Sequence, residues 1–424
     1  MFKILHTSGK ARTGVLKTNH GAIETPFFMP VATKLAVKLV NAHDLEEIGL
    51  KSVIANAFIL YLDPGVELIE KAGGVHKFMG YKNVIFTDSG GFQMVSDNFL
   101  VEINKKWVKF RSPFDKSLHM ITPEKDIGIQ NKLNSDVAMC LDYMPRSDDK
   151  YEDVEESVEI TYDWALRCRK AHRNKKQLLF GIIQGGCFND LRKRSAELVT
   201  SIGFDGYAIG GLGIGEGREK MFKAVSLAVK YMPRDKPRYL MGIGTPQDLV
   251  TGISKGVDIF DSCYVTRHSR HEAVFTGKGE IRIGKSVYRN DFSPLDKDCG
   301  CGVCRRYTRA YIYHLIKINE LSWKRLVTLH NLYFVNNLMI ECRRAIKEGR
   351  FGGFKKEFFK RYKFKDSDVR NEAVVTEKGI MQFAGAWKHI SKEEVEERKK
   401  RILEMRKKGT QELFRRMKKD YDRC

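Results

Sequence analysis

Leu178-Leu-Phe-Gly-Ile-Ile-Gln-Gly-Gly186 is a short apolar run that stops at a glutamine and two glycines, and an amphipathic stretch follows it. The same pattern recurs from about residue 26 to 264. Pro26–Ala32, Ser52–Phe58, Val84–Thr87, Val137–Leu141, Tyr207–Ile209, Tyr239–Ile243 and Ile259–Tyr264 are further short apolar runs and read as strands. The stretches between them carry helical spacing, as in Val154, Ser157, Ile160 and Trp164, or Met221, Val225, Ala228 and Val229. Eight such alternations are what a (β/α)8 TIM barrel needs. An open doubly wound sheet is the competing architecture, but it usually needs fewer strands and a nucleotide fingerprint that this chain lacks.

Two pieces interrupt the alternation. Phe99–Phe110 alternates in a β-like way and predicts a β-hairpin inserted after the third strand. After Tyr264 come more β-like stretches, a cysteine cluster and the helical stretch Tyr307–Asn319. The end of the chain is rich in lysine and arginine, with Val395, Ile402, Leu403 and Met405 thinly spaced, which reads as a solvated basic helix. The expected division is a catalytic barrel over 1–275, a zinc-binding subdomain with closing helices over 276–365, and a basic, largely helical extension over 366–424.

Composition bounds the class of protein. Of 424 residues, 42% are apolar and 30% charged, so the whole chain is neither disordered nor fibrous. No apolar run approaches the roughly 18 residues of a membrane span, and the first residues lack the apolar core of a secretory signal. A cytoplasmic protein is expected. Lysine and arginine number 75 against 53 acids, a formal charge of +22, which would attract a polyanion, most commonly RNA or DNA.

In a barrel, chemistry sits at the C-terminal ends of the strands. Those ends hold Asn56, Asp88-Ser-Gly-Gly-Phe-Gln93, Asp142, Gln184-Gly-Gly186, Gly210-Gly-Leu212, Gly242-Ile-Gly244 and Asp261. An aspartate at a strand end often caps the next helix instead, and a glycine there can simply relax a turn. Three acids at one mouth are harder to explain by capping, because like charges in one cleft destabilise it. A pair of carboxylates suits glycosidic chemistry, one attacking an anomeric carbon while the other handles the proton. A flat heterocycle would suit the remainder. Asp142 and Gln184 would bond its edge, Gly210 and Gly211 would admit close backbone approach, and Phe92 or Met241 would cover its faces.

Cys299, Cys301 and Cys304 fall within six residues and read as a metal knot in a reducing compartment. A closed tetrahedral zinc site needs a fourth ligand; His330 is the best candidate and His314 the alternative. Basic and aromatic residues interleave at Lys105-Lys-Trp-Val-Lys109, Arg305-Arg-Tyr-Thr-Arg309 and Phe354-Lys-Lys356. Such mixtures bind phosphates and stack on unpaired bases, although each alone also suits a solvated face.

Taken in order, Asp88-Ser-Gly-Gly-Phe-Gln93, Gly181-Ile-Ile-Gln-Gly185, Gly210-Gly-Leu212 with Gly215-Glu216, and Tyr239-Leu-Met-Gly-Ile-Gly244 resemble successive motifs of the tRNA-guanine transglycosylases, or queuine tRNA-ribosyltransferases. Phe260-Asp261, Thr266-Arg267-x-x-Arg270 and the cysteine cluster with His330 extend the resemblance over roughly residues 1–365, in a bacterial-like form. It implies a barrel with a zinc subdomain, and replacement of a guanine in tRNA by a 7-deazaguanine. It also implies roles: Asp261 as nucleophile in a covalent intermediate, Asp88 as general acid/base, Asp142, Gln184, Gly211 and Leu212 on the base edge, Phe92 and Met241 on its faces. Arg267 and Arg270 would read the neighbouring nucleotides. Cys299, Cys301, Cys304 and His330 would bind one structural Zn2+ per chain.

Three departures stand out. Asn56-Ala-Phe-Ile-Leu60 replaces the usual Asn-Thr-Tyr-His-Leu, Tyr143-Met144 replace Glu-Cys after Asp142, and Ile214 stands where enzymes that accept bulky queuine are small. The branched Ile214 favours a compact base such as 7-aminomethyl-7-deazaguanine. The anticodon-reading type of Thr266-Arg267-x-x-Arg270 favours guanine 34 in a U-G-U context, in tRNAs for Asp, Asn, His and Tyr, within queuosine biosynthesis. Archaeal-type exchange of guanine 15 for 7-cyano-7-deazaguanine, a non-catalytic RNA-binding subunit and a plain N-glycosidase are the alternatives. A homodimer is expected from the resemblance.

Overall fold

The structure, a computed structural model, describes residues 2–91 and 100–363. Three antiparallel strands come first, β1 (Phe2–Ser8), β2 (Ala11–Thr18) and β3 (Gly21–Thr25). The barrel then begins with β4 (Phe27–Pro30), β5 (Ser52–Asn56) and β6 (Val84–Asp88). An inserted antiparallel sheet follows, made of β7 (Leu100–Ile103), β8 (Val108–Arg111) and β9 (Leu118–Ile121). Barrel strands resume with β10 (Val137–Met139), β11 (Leu178–Ile183), β12 (Gly206–Ile209), β13 (Arg238–Leu240) and β14 (Ile259–Ser262). A hairpin, β15 (Ala273–Thr276) and β16 (Gly279–Arg282), and the helices 302–306, 309–317, 322–347 and 351–361 complete the described chain.

Seven parallel pairings connect the eight barrel strands in the order β5-β6-β10-β11-β12-β13-β14-β4. The last seam, β4 to β5, closes through a Val31–Ile54 bridge and the Ala32 N–H on the Ile54 carbonyl at 2.7 Å. The expected (β/α)8 barrel is therefore present. Its strands are short and mainly apolar because both faces are buried, with polar residues confined to their ends. Phe27, Met29, Ile54, Phe86, Met139, Phe180, Ile182 and Tyr239 fill the interior, while Phe28, Val53, Ile85, Ala138 and Leu179 belong to a second core with the surrounding helices.

Two differences from the sequence reading concern added strands. The insertion is a three-stranded sheet, because Leu118–Ile121 pairs with β8 after a turn in which the Ser112 and Asp115 side chains hold backbone N–H groups. The β1–β3 sheet, which the reading did not anticipate, lays Leu16 and Ile23 against the barrel's inner core. It is tied to the starts of barrel strands. Arg12 forms a buried two-bond ion pair with Asp258 just before β14, and His20 bonds Asp136 just before β10. The expected basic extension, 366–424, lies outside the described residues.

The helix 322–347 joins barrel and hairpin. Its Arg343 donates to the Pro26 carbonyl at 2.7 Å, while Asn331 bonds the Phe275 N–H, the Ala273 carbonyl and Ser269. Beside it a separate small core gathers Val274, Ile283, Leu295, Val303, Ile312 and Val327 around the cysteines.

Candidate active site

Asp88 ends β6, Asp142 follows β10 by three residues and Asp261 lies in β14, so all three carboxylates reach the C-terminal mouth of the barrel. Neither Asp142 nor Asp261 caps a helix; the helices that follow have Lys150 and Cys263 at their N-cap positions. Asn56 does cap one. Its Oδ1 accepts the Ile59 N–H at 2.8 Å, and its amide also bonds the Asp88 carboxylate.

Asp88 and Asp261 keep some exposed surface at the floor of this mouth, but protein surrounds both. Burial first, then the charges of Asp261 and Asp142, push the Asp88 carboxyl well above the usual carboxylate range, against smaller opposing contributions from the Gly90 N–H and Asn56. Its Oδ1 is buried with no hydrogen-bond partner. Burial also raises Asp261, offset by the Gly242 N–H at 2.8 Å and the Tyr239 hydroxyl at 2.5 Å, both on Oδ1. Asp142 is pushed up to about 6 by burial, against a bond from the Gln184 amide at 2.6 Å. The site thus sets a carboxyl raised well above its usual range, Asp88, beside the Asp261 carboxylate, whose Oδ1 is held by two donors.

The glycines are set by close approach. A Cβ at Gly211, where φ is +66°, would lie 2.4 Å from Gln184 Oε1, and one at Gly210 would lie 2.6 Å from its Nε2. A Cβ at Gly91 would meet Asp142 Oδ1 at 2.7 Å. Gln184 is fully buried, and its Oε1 has no partner. A buried acceptor without a partner thus lies beside two glycines where a side chain would collide with it. Leu212 is buried next to it, and Met241 is half-buried at the end of β13. Phe92 lies outside the described residues. Glu216 takes the N–H groups of Gly213 and Ile214, at 2.6 and 3.0 Å, so the Leu212 carbonyl points away from it across the trans peptide.

Arg267 and Arg270 lie on and just after the helix Tyr264–Ser269, immediately beyond Asp261. Arg267 is exposed, with a guanidinium nitrogen 3.0 Å from the Cys263 sulfur. Arg270 donates to the Thr266 carbonyl and lines a groove of about 570 Å³ with His271, Lys317, Trp323 and Lys324.

In the cysteine cluster, the sulfurs of Cys299, Cys301 and Cys304 stand 3.7, 3.5 and 3.3 Å from His330 Nδ1. Tetrahedral ligands at zinc distances would be about 3.6 Å apart. His330 Nε2 lies 2.7 Å from the Phe275 carbonyl, a bond that turns the bare Nδ1 toward the sulfurs. The donor set fits a closed metal site. His314 is exposed on the helix 309–317 and takes no part in the cluster. A second group, His20, His76 and Asp136, sits at the opposite end of the barrel. Its carboxylate already accepts two backbone N–H groups and both imidazoles, so its acceptor capacity is filled.

The family model described as queuine tRNA-ribosyltransferase matches residues 7–364. The chain belongs to that family. It is 50% identical over 357 residues to the queuine tRNA-ribosyltransferase of Thermoanaerobacter pseudethanolicus, covering 84% of this chain and 95% of the relative. The enzyme of Halothermothrix orenii is 50% identical over 363 residues, covering 85% and 97% of the two chains, and that of Thermotoga maritima is 46% identical over 361, covering 85% and 98%. Membership in the queuine tRNA-ribosyltransferase family makes the chain an enzyme of the pentosyltransferase class.

For a queuine tRNA-ribosyltransferase family member, the structure adds two groups that the sequence reading missed. Tyr239 lies within an apolar run and looks like core, yet its hydroxyl bonds Asp261. Asp126 lies buried on the helix Pro123–Leu133, and burial together with the charges of Asp88 and Asp142 raises its carboxyl. A polar atom every fourth residue on one helix face, Asp126 with Gln130, was the available signal. No helix among the described residues is long and apolar enough to cross a membrane.

Proposed function

We propose that this enzyme exchanges guanine 34 of U-G-U tRNAs, those for Asp, Asn, His and Tyr, for a 7-deazaguanine by double displacement. Asp261 Oδ2 attacks the ribose anomeric carbon as the bond to guanine N9 breaks, and Asp88 gives the departing base its proton. The incoming base then returns a proton from its N9 to Asp88. Its nitrogen attacks the same carbon, and the bond to Asp261 breaks. The observation that carries this reading is the pairing of Asp88, a carboxyl raised by burial with its Oδ1 unpartnered, with an Asp261 whose Oδ1 is tied down by Tyr239 and Gly242.

Asp142, Gln184, Gly211 and Leu212 would hold the base edge, the orphaned Gln184 Oε1 accepting an N–H of the heterocycle. Met241 and Phe92 would cover its faces. The Leu212 carbonyl, turned away from Glu216, and the branched Ile214 both suit a compact base with a cationic arm, 7-aminomethyl-7-deazaguanine. Arg267 and Arg270 would contact the nucleotides beside guanine 34. Zinc held by Cys299, Cys301, Cys304 and His330 would be structural, since four protein ligands leave no open position. We further propose a cytoplasmic homodimer.

The test is incorporation of labelled guanine into unmodified transcripts that carry both guanines, lack guanine 34, or lack guanine 15. Loss of label with the guanine 34 change alone is the expected result. Loss with the guanine 15 change alone would make this an archaeal-type exchange. Absence of label in all transcripts would favour a non-catalytic subunit.

A further inference from the structure

The ladder between β6 and β10 ends early. β6 pairs with β5 as far as Asn56–Asp88, and β10 pairs with β11 as far as Met139–Phe180. Between β6 and β10 the pairing stops at Ala138–Thr87, so the next step, Met139 with Asp88, is missing.

The Gln130 side chain fills that place. Its Nε2 donates to the Met139 carbonyl at 2.7 Å, and its Oε1 accepts the Met139 N–H at 3.2 Å, so one amide takes both groups that Met139 would offer a neighbouring strand. The same Oε1 accepts the Thr87 hydroxyl at 2.9 Å, from the residue just before Asp88. The fourth valence of the amide, the second proton on Nε2, goes to Asp126 Oδ2 at 2.8 Å. Gln130 is fully buried and Asp126 nearly so. With two donors and two acceptor positions all engaged, the amide has one orientation, and Asp126 is the partner that lies outside both strands.

We propose that Gln130 is a wedge that parts β6 from β10 directly beneath Asp88 and Asp142, and that Asp126 locks it in place. Both are positioning residues for the exchange chemistry, acting through the two strands. The inference rests on the roles assigned above to Asp88 and Asp142. Two carboxyl groups on adjacent parallel strands would otherwise crowd each other; a side-chain amide in place of a ladder step widens the gap that the heterocycle edge enters. A buried carboxyl under two others is costly as a charge. Burial, together with Asp88 and Asp142, raises the Asp126 carboxyl well above its usual range, against the opposing bond that its Oδ2 accepts from Gln130.

The experiment compares Asp126→Ala, Asp126→Asn and Gln130→Met for guanine exchange, its pH profile and hydrogen–deuterium exchange at the Met139 amide. Asp126→Ala frees one side of the amide. It should lower kcat roughly tenfold with KM for tRNA unchanged, shift the pH profile because the spacing of the two acids is no longer held, and speed exchange at Met139, whose N–H loses a fixed acceptor. Asp126→Asn keeps the acceptor and should restore kcat to within about threefold and the profile to its wild-type position. Gln130→Met keeps bulk, removes the amide and should exceed the Asp126→Ala effect. Wild-type kcat and profile in Asp126→Ala and Gln130→Met would overturn the wedge, as would equal loss in Asp126→Asn and Asp126→Ala. If the wild-type protein exchanges no guanine, the functional reading fails, while protection at Met139 still decides the wedge.

Discussion

The Tyr239 hydroxyl lies 2.5 Å from Oδ1 of Asp261, inside the barrel and below the mouth. Burial and the Asp261 charge keep the Tyr239 proton on its oxygen far above neutral pH, so the bond is a permanent donor to the carboxylate. It lowers the Asp261 pKa, against the rise from burial. Tyr239→Phe should therefore raise that pKa, move the acid limb of the exchange profile to higher pH, and lower kcat by roughly tenfold or more, as expected for loss of a hydrogen bond to a charged group. A pH–rate profile of the variant checks this; an unmoved acid limb would remove Tyr239 from any role in ionising Asp261.

Asp142 carries a stability cost with a definite pH window. Its folded pKa of about 6 exceeds the ordinary 3.8, so the folded chain binds more protons than the unfolded chain between those values. Stability falls as pH rises from about 4 to about 6 and stays reduced above. Asp142→Asn removes the charge and should stabilise the fold above pH 6 by roughly 2–3 kcal/mol, with no gain below pH 4. Denaturant titrations at pH 4, 6 and 8 measure it. The same variant should bind the base poorly, a site that trades stability for function.

How much of this was legible follows from where each residue sits. The eight strands stood out because two buried faces leave few polar residues within them, and the acids stood out because a carboxylate at the end of such a run has no core to join. Tyr239 was hidden by the same rule: within an apolar run an aromatic looks like filling, and only the register that brings it under Asp261 shows its hydroxyl in use. Gln130 and Asp126 were hidden because a helix face of polar residues looks solvated until packing buries it. The β1–β3 sheet was missed since β1 is largely exposed and carries little apolar alternation. The third strand of the insertion is four residues long, with two of them exposed.

Gly211 tests the base pocket without touching a charge. Its φ of +66° disfavours any side chain, and a Cβ there would sit 2.4 Å from the Gln184 oxygen. Gly211→Ala should displace the Gln184 amide from Asp142 and raise KM for the incoming base about tenfold or more, with KM for tRNA little changed. Steady-state kinetics with each substrate varied in turn separates the two. An equal rise in both would place Gly211 in the RNA path instead.

The cysteine cluster should behave as a folding element. Three sulfurs within 3.7 Å of one imidazole nitrogen form a site that only a cation makes favourable. The ligands span the segment 299–304, which runs into the helix 302–306, and the helix 322–347, whose Arg343 and Asn336 also hold the barrel. Metal loss should therefore loosen the hairpin β15–β16 and the nearby part of that helix first. Cys304→Ser should lower zinc from one equivalent per chain to well below half, and lower the unfolding temperature by several degrees. Exchange activity should decline only in step with the helical circular dichroism signal. Metal analysis, thermal melts and activity on the same samples check this. Fast loss of turnover on chelation, reversed by zinc with no change in the melt, would instead assign the ion to the chemistry.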